Sequence, residues 1–112
     1  MNKERLLNVA KACRESPNPS MFTMNRYGHN CGTPACALGH YAARGDLQDE
    51  FYLSSSGCFV AHGGGGVYMR TLEHFGITTD QEDELFGSEG CGCAETPEEA
   101  AKYIEQFVVE NE

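Results

Sequence analysis

Two thiols and an imidazole lie close together in the segment CGTPACALGH, residues 31–40. Cysteine sulfur and histidine nitrogen are preferred zinc ligands, and the spacing Cys31-x4-Cys36-x3-His40 supplies three candidates for a structural zinc site. Residues elsewhere that could supply a fourth ligand are Cys58, His62, Cys91 and Cys93. The chain contains no CxxC pair, so a purely structural interpretation competes: Cys36 as a small core residue and Cys31 packed beneath a helix cap.

The same two cysteines allow two further chemistries. A Cys31–Cys36 disulfide would require an oxidising compartment. A catalytic thiol would gain from a nearby helix N-terminus, which favours the thiolate, and four histidines could act as the base. No oxyanion hole or orienting carboxylate stands at a recognisable spacing. We therefore assign no catalytic residues and no obligatory cofactor, with zinc as the one possible metal.

A run of four glycines, Gly63, Gly64, Gly65 and Gly66, precedes an apolar helical pattern. Backbone N–H groups of such a loop can point at an anion, and His62 and Arg70 flank the run as groups able to hold a small phosphate. The run lacks the Lys-Ser/Thr that completes a P-loop and does not match GxGxxG. A flexible turn between two elements is the competing interpretation.

The negative charge is concentrated in one part of the chain. Of the seventeen acidic residues, nine lie between residues 71 and 101, where there is no lysine or arginine, and the net charge is −9. Such a surface repels phosphate backbones, which argues against direct nucleic-acid binding. The acids could serve only solubility and helix N-termini, or they could form a docking face for a basic partner. The residues that we assign to that face are Asp80, Glu82, Asp83 and Glu84.

Length and composition predict one domain spanning residues 1–112, because 112 residues can enclose one core but not two. The N-terminal residues lack an apolar stretch of signal-peptide length, and no segment approaches the roughly 18 apolar residues of a membrane span. We therefore expect a cytoplasmic protein without a membrane partner. In the cytoplasm, thiols are normally reduced.

Periodicity and capping signals predict a helix-rich α+β fold with one small antiparallel hairpin. Helices are expected over residues 2–14, from Thr33-Pro34 to Gly45, over 67–75, from the Thr79 capping box to Phe86, and from Thr96-Pro97 onward. Strands flank Ser54–Gly57 in the hairpin. Gly87 to Glu95 reads as a loop that holds Cys91 and Cys93. Core residues expected to meet are Leu38, Phe75, Ile104 and Phe107.

Several of these signatures together resemble a group of small uncharacterised phage and bacterial proteins. The shared features are Phe22-x-Met24, Cys31-Gly-Thr-x-x-Cys36 with Gly39, Leu85-Phe86, the Gly-Cys-Gly loop, and Thr96-Pro-x-Glu-Ala-Ala with Ile104. The resemblance covers most of the chain. It implies a compact cytoplasmic accessory protein, of phage origin, and brings no established activity.

Three functions follow as alternatives. The first is a non-catalytic interaction module, an inhibitor or regulator of a host protein such as an anti-defence factor, which docks through its acidic segment. The second is a small-ligand binder, a sponge for a nucleotide-like phosphorylated signal, which uses the Gly63–Gly66 loop. The third is a binding module stabilised by zinc. The oligomeric state does not follow from the sequence.

Overall fold

Two amphipathic helices from distant parts of the chain form the centre of the structure, a computed structural model that describes residues 1–23, 27–29, 33–64, 66–86 and 95–111. Helix α1 (Lys3–Arg14) buries Leu6, Val9, Ala10 and Cys13 at helical spacing. Helix α5 (Pro97–Glu110) buries a matching stripe, and α1 packs more extensively on α5 than on any other described element. Because both faces repeat with the helical period, each covers the apolar surface of the other.

The caps of α1 and α5 follow from their sequences. The Asn2 side chain accepts a hydrogen bond from the Arg5 N–H at 3.1 Å. Thr96 accepts one from the Glu99 N–H at 3.2 Å, with proline at the first helical position, as predicted. Each bond satisfies an N–H that the helix cannot satisfy itself.

The short helix α2 (Ala37–Ala42) corrects the prediction of a longer helix opening at Thr33-Pro34. Pro34 instead forms an isolated bridge with Gly28, and the Ala35 N–H donates to the Tyr27 carbonyl at 3.0 Å. These bonds hold residues 33–35 extended, so Cys36 becomes the cap. The helix also ends at Ala42 rather than continuing to Gly45.

Two short strands, β1 (Phe51–Leu53) and β2 (Phe59–Ala61), form the predicted antiparallel hairpin, with Tyr52 opposite Val60. Helix α3 (Val67–Phe75) follows and ends at Gly76, whose φ of 64° is left-handed, as predicted for a glycine stop. Helix α4 (Thr79–Phe86) ends where predicted.

The capping box of α4 lies one residue earlier than predicted. The Thr78 hydroxyl accepts from the Gln81 N–H at 3.2 Å, and the Gln81 side-chain oxygen accepts from the Thr78 N–H at 3.0 Å. Gln81 serves as well as Glu82 in this motif, because a glutamine and a glutamate oxygen accept alike.

One cluster of buried apolar residues joins all of these elements, and it contains Leu38, Phe75, Ile104 and Phe107, as predicted. The described residues contain five α-helices and a two-stranded antiparallel sheet, which confirms the α+β assignment. Within the described ranges, no helix has the length and apolar character required to cross a membrane.

Candidate functional site

Cys36 and His40 lie on one face of α2, but both are committed to bonds inside the protein. The Cys36 sulfur accepts from the Gly39 N–H at 3.5 Å. His40 Nδ1 lies 2.8 Å from the Cys36 carbonyl, which can only accept, so Nδ1 carries the proton. His40 Nε2 therefore accepts from the Ser16 hydroxyl at 2.7 Å. The Nε2 lone pair of His40, which a metal ion would need, already accepts this hydrogen bond.

Burial also weakens both groups as metal ligands or catalysts. It raises the pKa of the Cys36 thiol to about 11, so the thiolate that binds metal or attacks a substrate is disfavoured. Burial likewise lowers the pKa of His40. Within the described part of the chain, no three His, Cys, Asp or Glu residues are grouped so as to hold a metal ion. Cys31, the third predicted ligand, lies outside the described residues, as do Cys91 and Cys93.

Gly63 and Gly64 form a tight turn directly after β2. Gly63 and Gly64 have φ values of 86° and 77°, and the Gly64 N–H donates to the Ala61 carbonyl at 3.2 Å. Arg70 donates from Nη1 to the His62 carbonyl at 2.6 Å. The structure thus brings together the predicted phosphate-binding residues His62, Gly63, Gly64, Gly66 and Arg70, whereas Gly65 lies outside the described residues. The guanidinium and one of the amides already stabilise the turn.

The acids of α5 and those of α4 differ in their described partners. At the junction of α1 and α5, Arg14 donates to Glu98 at 2.5 Å and to Glu105 at 2.6 Å, and these bonds raise the pKa of Arg14. The predicted docking acids of α4 differ. None of the basic residues that the structure describes forms an ion pair with Asp80, Glu82, Asp83 or Glu84.

Two exposed tyrosine side chains accompany the acids of α4. Tyr27 stacks on Phe59 with ring centroids 5.1 Å apart, yet stays 44% exposed. Tyr68, on α3, is 47% exposed. We call the surface formed by these tyrosines and the acids of α4 the acidic–aromatic face; it comprises Tyr27, Tyr68, Asp80, Glu82, Asp83 and Glu84.

Glu82 acts electrostatically on both tyrosines. Partial burial and then the neighbouring carboxylates of Glu82, Asp83 and Asp80 raise the pKa of Tyr68. Burial, followed by Cys36 and Glu82, raises the pKa of Tyr27. Glu82 itself is half-buried, and burial and then Asp83 raise its pKa. The face therefore holds a partly desolvated carboxylate that lacks a described cation.

A buried polar chain that the sequence interpretation missed joins α2 to α3. The Tyr41 hydroxyl lies 2.7 Å from His74 Nε2, and His74 Nδ1 lies 2.9 Å from Glu50 Oε2. The second pair is too poorly aligned to form a hydrogen bond. Arg5 donates to the His74 carbonyl at 2.8 Å. A histidine on the buried face of α3, beside Phe75, was the available signal, because a core histidine needs a polar partner.

The Tyr41–His74 pair of this buried polar chain is not accessible to substrates. Tyr41 is fully buried and His74 is 6% exposed. Burial raises the pKa of Tyr41 to about 12, whereas burial and then Arg5 lower the pKa of His74 against the opposing effect of Glu50. Both groups are therefore neutral near pH 7. The contact between their side chains fixes how α2 and α3 pack.

Comparison with protein-family models, with curated proteins and with solved structures gives no match. The resemblance to small phage and bacterial proteins therefore stays a prediction.

Proposed function

We propose that the protein is a non-catalytic interaction module that binds a basic protein surface through its acidic–aromatic face. The observation that carries this proposal is the half-buried carboxylate of Glu82, which has no described cation partner and acts electrostatically on two exposed tyrosines. Partial burial of an unpaired charge costs free energy in the isolated protein. A basic partner would remove that cost.

The charges of the face suit a partner that is rich in lysine or arginine. Acids on one helix that have no described cation partner create a local negative potential, which accelerates the encounter with a positive surface and orients it. The net charge of −9 extends this effect over the whole molecule. The acids around Arg14 add less, because that arginine neutralises part of their charge.

The aromatic residues of the face can contribute binding free energy in addition to the effect of charge. Tyrosine, methionine and arginine are enriched at protein interfaces, where a few buried aromatic side chains contribute most of the binding free energy. Tyr27 is held by its stacking on Phe59, so little conformational entropy would be lost when a partner covers it.

The same reasoning disfavours the glycine loop as the main site. A phosphate ligand would need the Arg70 guanidinium, which already donates to the His62 carbonyl. The loop would have to exchange that bond for the ligand, whereas the acids of α4 have no described cation to release.

The test selects short peptides from a random displayed library against the unmodified protein and measures their association rates. We expect enrichment of peptides that are rich in arginine or lysine. The triple variant Asp80→Asn, Glu82→Gln, Asp83→Asn should slow their association by about tenfold at low salt, because it removes the local potential.

The matched control makes the same charge change on other surfaces, through Glu4→Gln, Glu15→Gln and Glu95→Gln. This control should keep most of the association rate, since its acids lie outside the acidic–aromatic face. Selection of peptides without basic residues, or equal slowing by both triple variants, would contradict a localised docking face. Tyr68→Ala should mainly accelerate dissociation.

A further inference from the structure

A groove of about 480 Å³ opens between the end of α2 and the outer side of the hairpin, a part of the molecule that the acidic–aromatic face does not include. Its lining includes the small residues Ala42, Ala43 and Gly45. Tyr52 and His62 also line the groove, and their ring centroids are 4.7 Å apart. The volume lies within the range typical of small-molecule sites.

The buried side chain of Gln48, which also lines the groove, holds the residues around it in place. Its amide nitrogen donates to the Phe51 carbonyl at 3.0 Å and to the Tyr41 carbonyl at 3.3 Å. Its oxygen accepts from the Phe51 N–H at 2.7 Å. These bonds connect the end of α2 directly to β1. The groove is therefore formed before any ligand arrives, which reduces the entropic cost of binding.

The charge of the groove is negative. Asp49 is the one acidic residue among the described lining residues, and no lysine or arginine lines the groove there. Arg44 is close to the groove residues in sequence, but it forms ion pairs with Glu15 and Asp46. Arg70 donates to the carbonyl of the lining residue His62. Neither adds a guanidinium to the described lining.

We propose that this groove binds a small organic cation with a planar head, of the guanidinium class, stacked against Tyr52 and His62 and paired with Asp49. The small lining residues leave room for a planar head, and Tyr52 and His62 offer it ring faces. Aromatic faces attract such cations, and the attraction increases where solvent is partly excluded. A guanidinium also offers two parallel N–H groups to one carboxylate.

This inference is independent of the proposed function, because it concerns other residues and another ligand. The probe is N-butylguanidinium, and its control is N-butylurea, which has nearly the same shape without the charge. In a two-dimensional amide NMR titration of the full chain, we expect saturable shifts at residues 42–53 and 62 with the cation. The neutral control should produce none.

Variants then test the assigned contacts. Asp49→Asn and Tyr52→Ala should each weaken binding of N-butylguanidinium by roughly three- to tenfold. Both positions are exposed, so folding should be retained, as the unshifted amides of α5 would verify. Asp80→Asn, on the acidic–aromatic face, is the matched control and should leave the affinity unchanged.

Three results would overturn the proposal. The first is equal binding of the urea, which would assign the groove to neutral planar ligands. The second is shifts that map to the acidic–aromatic face, and the third is an affinity that Asp49→Asn does not change. Because the peptide experiment uses the residues of α4, either proposal can fail while the other stands.

Discussion

Helix α2 and helix α4 both carry residues with recognisable chemistry, but they use their polar groups in opposite ways. On α2, the polar atoms of Cys36 and His40 are satisfied by Gly39, Ser16 and backbone. On α4, the acids have no ion pair with any described basic residue. The first arrangement stabilises the fold, and the second leaves charge available to a partner.

Spacing alone therefore does not identify a site. Cys36 and His40 are one helical turn apart, which is a spacing that suits metal ligands. The same spacing also serves a buried helix, whose polar groups must be satisfied inside the protein. An acidic run looks ordinary in a sequence, yet it becomes a candidate site when exposed aromatic side chains lie beside it. The decisive observation is which polar groups stay unpaired after folding.

The largest effect is expected where α2 approaches the segment 27–29. A Cβ at Gly39 would lie only 1.8 Å from the Tyr27 carbonyl oxygen, so Gly39→Ala must displace backbone. We expect a loss of about 3 kcal/mol or more in the free energy of unfolding, measured in urea melts. Gly45→Ala is the control, because nothing lies within 4 Å of the added carbon, and it should change stability by at most about 0.5 kcal/mol. Similar losses in both variants would show that α2 does not contact this segment.

An intermediate effect is expected from pH. Burial lowers the pKa of His40 below its ordinary value of 6.5, and burial and then Arg5 lower that of His74. The unfolded chain therefore takes up protons near pH 6.5 that the folded chain resists. Stability should be highest above that pH and should fall as the pH drops through 6.5 towards the folded-state values.

Urea melts at several pH values between about 7 and 5 measure this slope, where histidine titration dominates. His40→Asn should lower stability at neutral pH but make its pH dependence shallower. His62→Gln serves as the control because His62 is exposed. An unchanged slope in His40→Asn would contradict the burial of a neutral imidazole on α2.

The smallest effect is expected on the acidic–aromatic face. Burial and Asp83 disfavour the charged form of Glu82, but solvent screens part of this effect, so Glu82→Gln should raise stability only slightly, by at most about 0.5 kcal/mol near neutral pH. The same change should weaken partner binding. Exposed Glu84→Gln should leave stability unchanged in paired melts, and a clear loss of stability in Glu82→Gln would indicate that this carboxylate has a structural partner.

Local signals in the sequence were sufficient for much of the fold. The Thr96-Pro97 start and the Gly76 stop were predicted correctly, because caps depend on residues within one helical turn. The Thr33-Pro34 start was wrong for a tertiary reason. The bridge between Gly28 and Pro34 keeps that segment extended, and no local pattern reveals a partner several residues away.

The candidate site shows the same limit. The acids of α4 could be read directly from the sequence, whereas the proximity of Tyr27 and Tyr68 to Glu82 depends on packing between separate elements. The contact between Tyr41 and His74 is equally non-local, because these residues are 33 positions apart.

The pairing of α1 with α5 also affects how the protein is synthesised. The apolar stripe of α1 leaves the ribosome before α5, but its main cover consists of residues 97–110. At the usual translation rate of roughly 5–20 residues per second, that stripe stays uncovered for several seconds. During this interval the nascent chain depends on chaperones or on transient non-native contacts, so premature termination before α5 should yield an aggregating fragment rather than a smaller folded protein.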